Sequence, residues 1–271
     1  MHELITDRSF DLNRTNEYKL SIQVSLGGFS FSVIHIAENR LLALYNSPVT
    51  ISTEKFLTRR FQEWANSEDI LNHSFAEVRV QYDTPNFTVV PQSYFSGEKQ
   101  NQIAALLFEQ EAASQVVTIH PEKLHTQFLF SVPANLPALI ANKFGTANLW
   151  HPAATMAQNA VEHFRKNENG AVVFFSKSTF FLLMFSGEKL LLANSYNYQH
   201  PNDVAYFLMA ALNRFNLKPT DFKLEVCGEI YREGETETLL GEYFNQIEFC
   251  SSHVLFDSEI FKNLHRFKTL L

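Results

Sequence analysis

The chain carries one pattern twice, and this repeat limits the folds that it can adopt. Residues 19–45 and residues 170–196 each read as three consecutive strands joined by tight turns. The first strand of the first run alternates apolar and polar residues, which is typical of a half-buried strand, and Gly27 and Gly28 form the turn that follows it. An amphipathic helix follows each run. Two similar α/β lobes with a cleft between them are therefore expected.

The composition indicates a globular protein and disfavours one class of partner. Of the 271 residues, 45% are hydrophobic and 19% are charged, which is enough apolar material for one large core or two ordinary ones. The 26 phenylalanines predict a core rich in aromatic rings, and an exposed aromatic patch for a partner is the alternative. A formal net charge of −7 without a long run of Lys or Arg argues against nucleic acid.

Membrane and metal signals are absent from the sequence. Residues 1–20 are polar and do not resemble a signal peptide, and no window approaches the ~20 apolar residues of a membrane span. Cys227 and Cys250 each lie in an apolar run without the spacing of a metal site, so buried free thiols are expected. Among the ten histidines, no pair with an acid shows a ligand spacing. We therefore expect a cytoplasmic protein with no membrane span and no metal.

Polar breaks suggest how the chain is divided. The strongest break lies at residues 166–170 and predicts a first lobe over residues 1–167 and a second over residues 168–271. Within the first lobe, residues 75–125 read as an insertion that opens with a hairpin, because Asp83 and the three residues after it are typical of a turn.

The two ends of the chain read differently. Residues 1–18 are expected to form a loosely held arm. Near the other end, an apolar stripe predicts a last helix that starts near Asp257.

A strand–helix–strand–helix series follows the insertion and carries a family resemblance. Residues 128–160 read FLFSVPANLPALIANKFGTANLWHPAATMAQNA. This stretch resembles the pattern of actin-like chaperones, in which a strand ends in Val-Pro and a later strand runs into Glu-Pro-Thr-Ala. Three strands, a helix, a strand, a helix, a strand and a helix form the ribonuclease H-like unit, and two such units form the actin-like ATPase fold. The chain also resembles an uncharacterised bacterial family assigned to this fold.

The resemblance implies where a nucleotide would bind. ATP-hydrolysing members hold phosphates with one strand–turn–strand loop per lobe, each with an Asp for metal and water and with glycines. The loop at residues 24–29 has glycines and no Asp, the loop at residues 175–179 has neither, and Glu229 replaces one glycine of the adenosine loop. A hairpin that needs positive φ is the alternative role for the first glycines. The candidate cofactor-binding residues are Ser25, Gly27, Gly28, Ser176, Lys177 and Gly228.

These departures favour a protein that has lost its catalysis. Without an Asp in either loop, the charge that would place a cation beside the phosphates is missing. The first strands also lack the carboxylates that a ribonuclease H-type nuclease needs, so no catalytic residue is assigned. We expect a degenerate actin-like protein that binds a protein partner and needs no cofactor. The alternatives are an ATP- and Mg²⁺-dependent kinase or ATPase that uses Asp83 or Asp203, and a nucleotide or small-metabolite sensor without turnover.

Overall fold

The computed structural model describes residues 3–108, 114–164 and 168–271. A six-stranded mixed sheet contains the first predicted meander, whose three strands pair antiparallel. Two further strands lie parallel to the first strand of the meander and to each other. In spatial order the strands are β1 (Glu3–Thr6), β4 (Arg40–Pro48), β3 (Gly28–His35), β2 (Tyr18–Ser25), β5 (Glu77–Tyr82) and β9 (Asn148–Trp150).

A five-stranded sheet contains the second predicted meander and repeats this order. Its three meander strands pair antiparallel, and two parallel strands again follow on the side of the first meander strand. The predicted duplication is therefore confirmed at the level of sheet topology. In spatial order the strands are β12 (Lys189–Asn197), β11 (Thr179–Ser186), β10 (Asn169–Phe175), β13 (Lys223–Gly228) and β14 (Gln246–Phe249).

A small third sheet is antiparallel and consists of β6 (Phe87–Pro91), β8 (Thr126–Pro133) and β7 (Ser114–Ile119), in that spatial order. The predicted hairpin of β5 with β6 is wrong, because β5 pairs with β2 in the first sheet and β6 pairs with β8. A turn between two apolar segments is compatible with a hairpin, but it does not determine which strand each segment pairs with. Here Val80 of β5 is opposite Ile22 of β2 in the buried centre of the larger sheet, which stabilises the parallel pairing.

In the described ranges, six α-helices cover the sheets. The one that matters most for the site is Pro152–His163, because its small buried side chains let it lie in one apolar core with residues of both large sheets. Pro152 starts this helix as predicted, in the first position, where no backbone N–H is needed. The helices are α1 (Glu54–Ser67), α2 (Gln100–Leu107), α3 (Leu136–Phe144), α4 (Pro152–His163), α5 (Pro201–Arg214) and α6 (Glu235–Gly241).

Both chain ends differ from the prediction. Residues 3–6 are not a loose arm, because β1 pairs antiparallel with β4 and the chain then forms a 3₁₀ helix over Leu12–Glu17. No α-helix starts near Asp257. Instead, Leu255 forms a β-bridge with the first sheet, Asn263 takes a left-handed φ of 53°, and a 3₁₀ helix covers Leu264–Leu270. These tertiary contacts outweigh the helical pattern.

The predicted lobe boundary at residues 167 and 168 stays a prediction. Residues 165–167 lie outside the described ranges, and β10 begins two residues later, at Asn169. The predicted helix of the insertion is present over Gln100–Leu107, and residues 109–113 also lie outside the described ranges.

Candidate functional site

A cavity of about 130 Å³ lies where the two large sheets face each other. It forms at the carboxyl ends of β2, β5, β10 and β13, and in open α/β sheets this is the end at which ligands bind. Residues from both lobes line this cleft cavity. All six candidate residues from the sequence are among them, namely Ser25, Gly27, Gly28, Ser176, Lys177 and Gly228.

The first-lobe turn has a structural reason for its glycine and its serine. Gly28 has a φ of 137°, and a Cβ atom there would lie 2.3 Å from the carbonyl oxygen of Ser47 on the neighbouring strand. The Ser25 hydroxyl donates to the Gly28 carbonyl at 3.2 Å and accepts from the Gly27 N–H at 3.1 Å. The neighbouring strand by itself therefore explains why residue 28 is a glycine, and no bound ligand is needed to explain it. At Gly27 a Cβ would meet only the Ser25 hydroxyl, at 3.4 Å.

The second-lobe turn reaches across the cleft to the first lobe. The Ser176 hydroxyl donates to Asp83 Oδ2 at 3.2 Å, and Lys177 Nζ donates to the Thr50 hydroxyl at 2.8 Å. Away from the residues that line the cavity, the Ser195 hydroxyl donates to the carbonyl oxygen of Pro85 at 2.6 Å. These three hydrogen bonds join the two lobes directly, and the first two involve residues that line the cavity.

Gly228 ends β13 where it passes the end of β10. Its φ is 85°, and a Cβ atom there would lie 2.1 Å from the carbonyl oxygen of Phe175. The close approach of two backbones requires this glycine, as at Gly28. Glu229, the next residue, is exposed and lines the cavity.

Asp83 is the buried acid of the cleft cavity. It directly follows β5, and its Oδ2 accepts from Gln23 Nε2 at 3.4 Å as well as from Ser176. Burial raises the pKa of Asp83 to about 7, the two hydrogen bonds oppose this rise, and the charge of Glu229 adds to it. The loops thus lack an acid, as the sequence states, but a third element brings one. Asp83 is one of the acids named for the kinase or ATPase alternative, but nothing local in the sequence shows that the strand before it lies parallel to β2.

The C-terminal 3₁₀ helix contributes residues that sequence reasoning missed. Arg266 and Phe267 line the cavity, and the Thr269 hydroxyl donates to Gln23 Oε1 at 2.9 Å. The Nε atom of Arg266 is buried and has no hydrogen-bond partner within the described ranges. No local motif marks these residues, because they reach the cleft only after the chain crosses back from the second lobe.

Other residues with potential chemistry lie away from the cavity. The Asp203 carboxylate accepts from the backbone N–H groups of Gln199 and His200 at 2.9 and 3.0 Å, which stabilises the start of α5. Both cysteines are buried and free, as predicted. In the part of the chain that the structure describes, no group of three or more His, Cys, Asp and Glu side chains could hold a metal ion.

Comparison with known proteins places the chain in a family. The model of the family described as Protein of unknown function (DUF3822) matches residues 7–247. The chain belongs to this family. A solved protein from Bacteroides thetaiotaomicron VPI-5482, described as having an actin-like ATPase fold and unknown function, matches with a TM-score of 0.82 at 19% identity. That match covers 96% of this chain and 98% of the other. No curated protein matches the chain.

Two further solved structures share the fold at lower similarity. A PilM-PilN type IV pilus biogenesis complex matches with a TM-score of 0.55 at 10% identity, over 93% of this chain and 95% of that chain. The ethanolamine utilization protein EutJ from Carboxydothermus hydrogenoformans matches with a TM-score of 0.53 at 9% identity, over 98% and 92%. The DUF3822 chain therefore has the actin-like ATPase fold with two ribonuclease H-like lobes, as predicted. Within the described ranges, none of its helices combines the length and the apolar character needed to cross a bilayer.

Proposed function

We propose that this DUF3822 protein is a non-catalytic actin-like protein that binds a protein partner and does not turn over ATP. The main support for this proposal is the set of hydrogen bonds that join the two lobes across the cleft. Ser176 contacts Asp83, and Lys177 contacts Thr50, where the phosphates of a nucleotide would have to pass between the lobes. The cavity that remains, about 130 Å³, is smaller than the ~300–1,000 Å³ of typical pockets for larger ligands.

The acids of the cleft support the same proposal. Mg²⁺ is bound by oxygen ligands and usually needs carboxylates together with the substrate phosphates. Asp83 and Glu229 are the acids among the residues that line the cavity, and burial raises the pKa of Asp83 to about 7. Glu229 is exposed at the edge of the cavity. The residues present do not fit a magnesium–triphosphate, and we derive no catalytic step through it.

The proposal that this protein binds a protein partner is based on its fold. The PilM-PilN structure is a complex that contains a protein of this fold. In our proposal the DUF3822 chain uses the same scaffold in the same general way, with its own partner.

Thermal unfolding with nucleotides tests the proposal directly. The melting temperature is measured alone, with ATP and Mg²⁺, and with ADP, each up to millimolar concentration, and phosphate release is followed in parallel. A ligand at 100 times its dissociation constant adds roughly 2.7 kcal/mol of stability. We expect no shift with either nucleotide and no phosphate release. A shift with phosphate release overturns the proposal in favour of an ATPase or kinase.

The partner is tested separately. The tagged chain is isolated from its native host after crosslinking, and each candidate partner is purified and titrated against the purified chain. We expect saturable binding of one partner at a fixed stoichiometry. A chain that runs as a free monomer at its native level and binds no purified candidate contradicts the partner half.

A second candidate function has its own observation in its favour. Lys177 and Arg266 bring two positive charges to the cavity, and the buried Nε of Arg266 has no hydrogen-bond partner among the described residues. A small anion held by these two positive charges would let the cleft serve as a sensor without turnover. Inorganic phosphate would then raise the melting temperature of the wild type and of the exposed control Arg59→Gln, but not of Arg266→Gln. No rise in the wild type excludes this candidate.

A further inference from the structure

A further cavity, of about 220 Å³, lies at the end of the first sheet that is remote from the cleft. Lys19 is near the start of β2, and Glu77 and Asn148 are the first residues of β5 and β9, so the amino ends of three parallel strands form this cavity. At ~3.3 Å per residue, β2 separates Lys19 from Ser25 in the cleft cavity by roughly 20 Å. The two cavities share no lining residue. We call this one the basic cavity, because Lys19 and Arg79 line it.

The strand register puts two cations on the same face of the sheet. Lys19 is opposite Glu77 in the pairing of β2 with β5, and Arg79 follows Glu77 by two residues, so all three side chains share one face. Asn148 of β9 is opposite Arg79 and adds an amide group to that face. Lys19 and Arg79 are each half-buried. The positions from which both cationic side chains extend are therefore fixed by the sheet.

Neither cation has an acid in close contact. Within the described ranges, no carboxylate forms an ion pair with Lys19 or Arg79, and the exposed Glu77 acts on both only through its charge. Burial and the charge of Arg79 lower the pKa of Lys19, burial lowers the pKa of Arg79, and Glu77 opposes both shifts. Two half-buried like charges without a close counter-ion are unfavourable, so an anion in the cavity would stabilise them.

The guanidinium of Arg79 is positioned by an aromatic ring. Its Cζ atom lies over the ring of Trp150, 5.2 Å from the ring centroid. Stacking through its face leaves the N–H donors at the edge of the guanidinium available, and their planar arrangement matches the oxygen atoms of a phosphate. The contact also reduces the freedom that Arg79 would lose on binding a ligand. Lys19 supplies a second positive charge on a more flexible side chain.

We propose that the basic cavity binds one small phosphate-type oxyanion between Lys19 and Arg79, with the Asn148 amide as a further donor. A phosphate monoester carries about −1.5 to −2 charges at pH 7, which two cations can compensate. A carboxylate carries one charge and gains less from the same pair. The volume of about 220 Å³ is below the ~300–1,000 Å³ of pockets for larger ligands, so the ligand is free phosphate or the phosphate group of a small ester.

The competing explanation is that both side chains only cover apolar surface. Phe75 and Phe144 line the same cavity, and the stems of Lys19 and Arg79 could pack on these rings while the charged groups stay in water. In that case phosphate acts only by screening, like any other salt of the same ionic strength. The two explanations therefore differ in whether phosphate binds with saturation when the ionic strength is held constant.

Thermal unfolding of the full chain at pH 7 tests the proposal. The melting temperature is measured against the concentration of inorganic phosphate, with sodium chloride keeping the ionic strength constant. We expect a saturable rise in the wild type and in Lys55→Gln, an exposed lysine that serves as the matched control. Lys19→Gln and Arg79→Gln should each weaken the apparent affinity by roughly tenfold or more. Glu77→Gln should bind phosphate more tightly, because it removes a repulsive charge.

A second measurement locates the ligand in the wild type. The chain has two tryptophans, so its nitrogen-15 spectrum contains two indole signals. The signal of Trp150, which stacks on Arg79, should shift with saturation as phosphate is added. Trp64 is the internal reference, because its indole N–H donates to the Tyr45 hydroxyl at 3.2 Å in the buried core, and its signal should stay in place.

The source of the phosphate group is tested by titrating glycerol phosphate in the same way. Tighter binding than inorganic phosphate supports an ester as the ligand, and weaker binding supports free phosphate. No saturable rise with either compound overturns the proposal, and so does an unchanged affinity in Lys19→Gln and Arg79→Gln. A rise that is lost in Arg266→Gln and kept in Lys19→Gln assigns phosphate to the cleft and also overturns it. The same variants assign any shift caused by a nucleotide, so this test and that of the proposed function remain distinguishable.

Discussion

Replacing Asp83 by Asn should stabilise the protein at high pH and leave it nearly unchanged at low pH. Asp83 is buried between the lobes, and burial raises its pKa from the ordinary 3.8 to about 7. Asn removes the ionisable group but keeps an oxygen that can accept the hydrogen bonds from Gln23 and Ser176. The variant therefore separates the cost of charge burial from the loss of contacts.

The magnitude follows from linkage between protonation and folding. Below pH 3.8 the carboxyl of Asp83 is protonated in the folded and the unfolded chain, so it contributes no pH dependence. Between pH 3.8 and about 7 the unfolded chain releases this proton first, so the wild type loses about 1.4 kcal/mol of stability per pH unit. Above pH 7 the loss levels off at about 4 kcal/mol, an order-of-magnitude figure. Asp83→Asn should escape this loss.

The assay is urea unfolding, followed by circular dichroism at five pH values from 4 to 8 in buffers without divalent ions. The difference in free energy of unfolding between Asp83→Asn and the wild type should grow from near zero at pH 4 to several kcal/mol at pH 8. A difference that stays constant over this range refutes the assigned burial and pKa of Asp83.

Asp203→Asn is the matched control, because its pKa shifts the other way. Two backbone N–H groups donate to the Asp203 carboxylate and lower its pKa. Its contribution to stability is therefore present above the ordinary value of 3.8 and is lost as the pH falls through the lowered value. Asp203→Asn should destabilise at neutral pH, with an effect that shrinks in acid. The same trend in both variants would contradict the reasoning.

Three further predictions concern backbone and buried groups. Gly28→Ala should lower the free energy of unfolding by more than the roughly 1–3 kcal/mol of a strained φ, because the added Cβ would also clash with backbone atoms. Gly27→Ala should change the free energy of unfolding by no more than about 1 kcal/mol, and urea unfolding measures both variants. His151 is buried, and burial lowers its pKa to about 4, so in the wild type its contribution to stability falls by about 1.4 kcal/mol per pH unit from pH 6.5 to 4. In His151→Asn, this loss of stability between pH 6.5 and 4 should be absent. If the free energy of unfolding of His151→Asn falls with pH as steeply as that of the wild type, the assigned pKa is contradicted. Cys227 and Cys250 are buried, so a thiol reagent should label neither in the native state and both in urea; fast native labelling would show that the thiols are accessible.

The fold could be predicted from the sequence because its signals are local and occur twice. Alternation of apolar residues identifies the meander strands, and polar turns such as Gly27 and Gly28 separate them. Strand partners were predicted correctly where consecutive strands pair and wrongly where they do not. β5 pairs with β2 across the intervening α1, and the sequence gives no local sign of this choice.

The candidate site was predicted in part. The six residues chosen from the two turns and the end of β13 do line one cavity, because the carboxyl ends of strands that lie parallel in each lobe meet at the same cleft. The glycine at position 28 proved to be required by the neighbouring strand. Whether any nucleotide binds at these residues stays a prediction.

The sequence by itself determined the duplicated α/β architecture and the absence of an acid in both turns, since both depend on residues close together in the chain. Only the tertiary structure decided that Asp83 and Arg266 share a cavity and that Lys19 and Arg79 share another. Such contacts depend on which buried surfaces pack together. That packing is a property of the whole core, and no short segment of the chain encodes it.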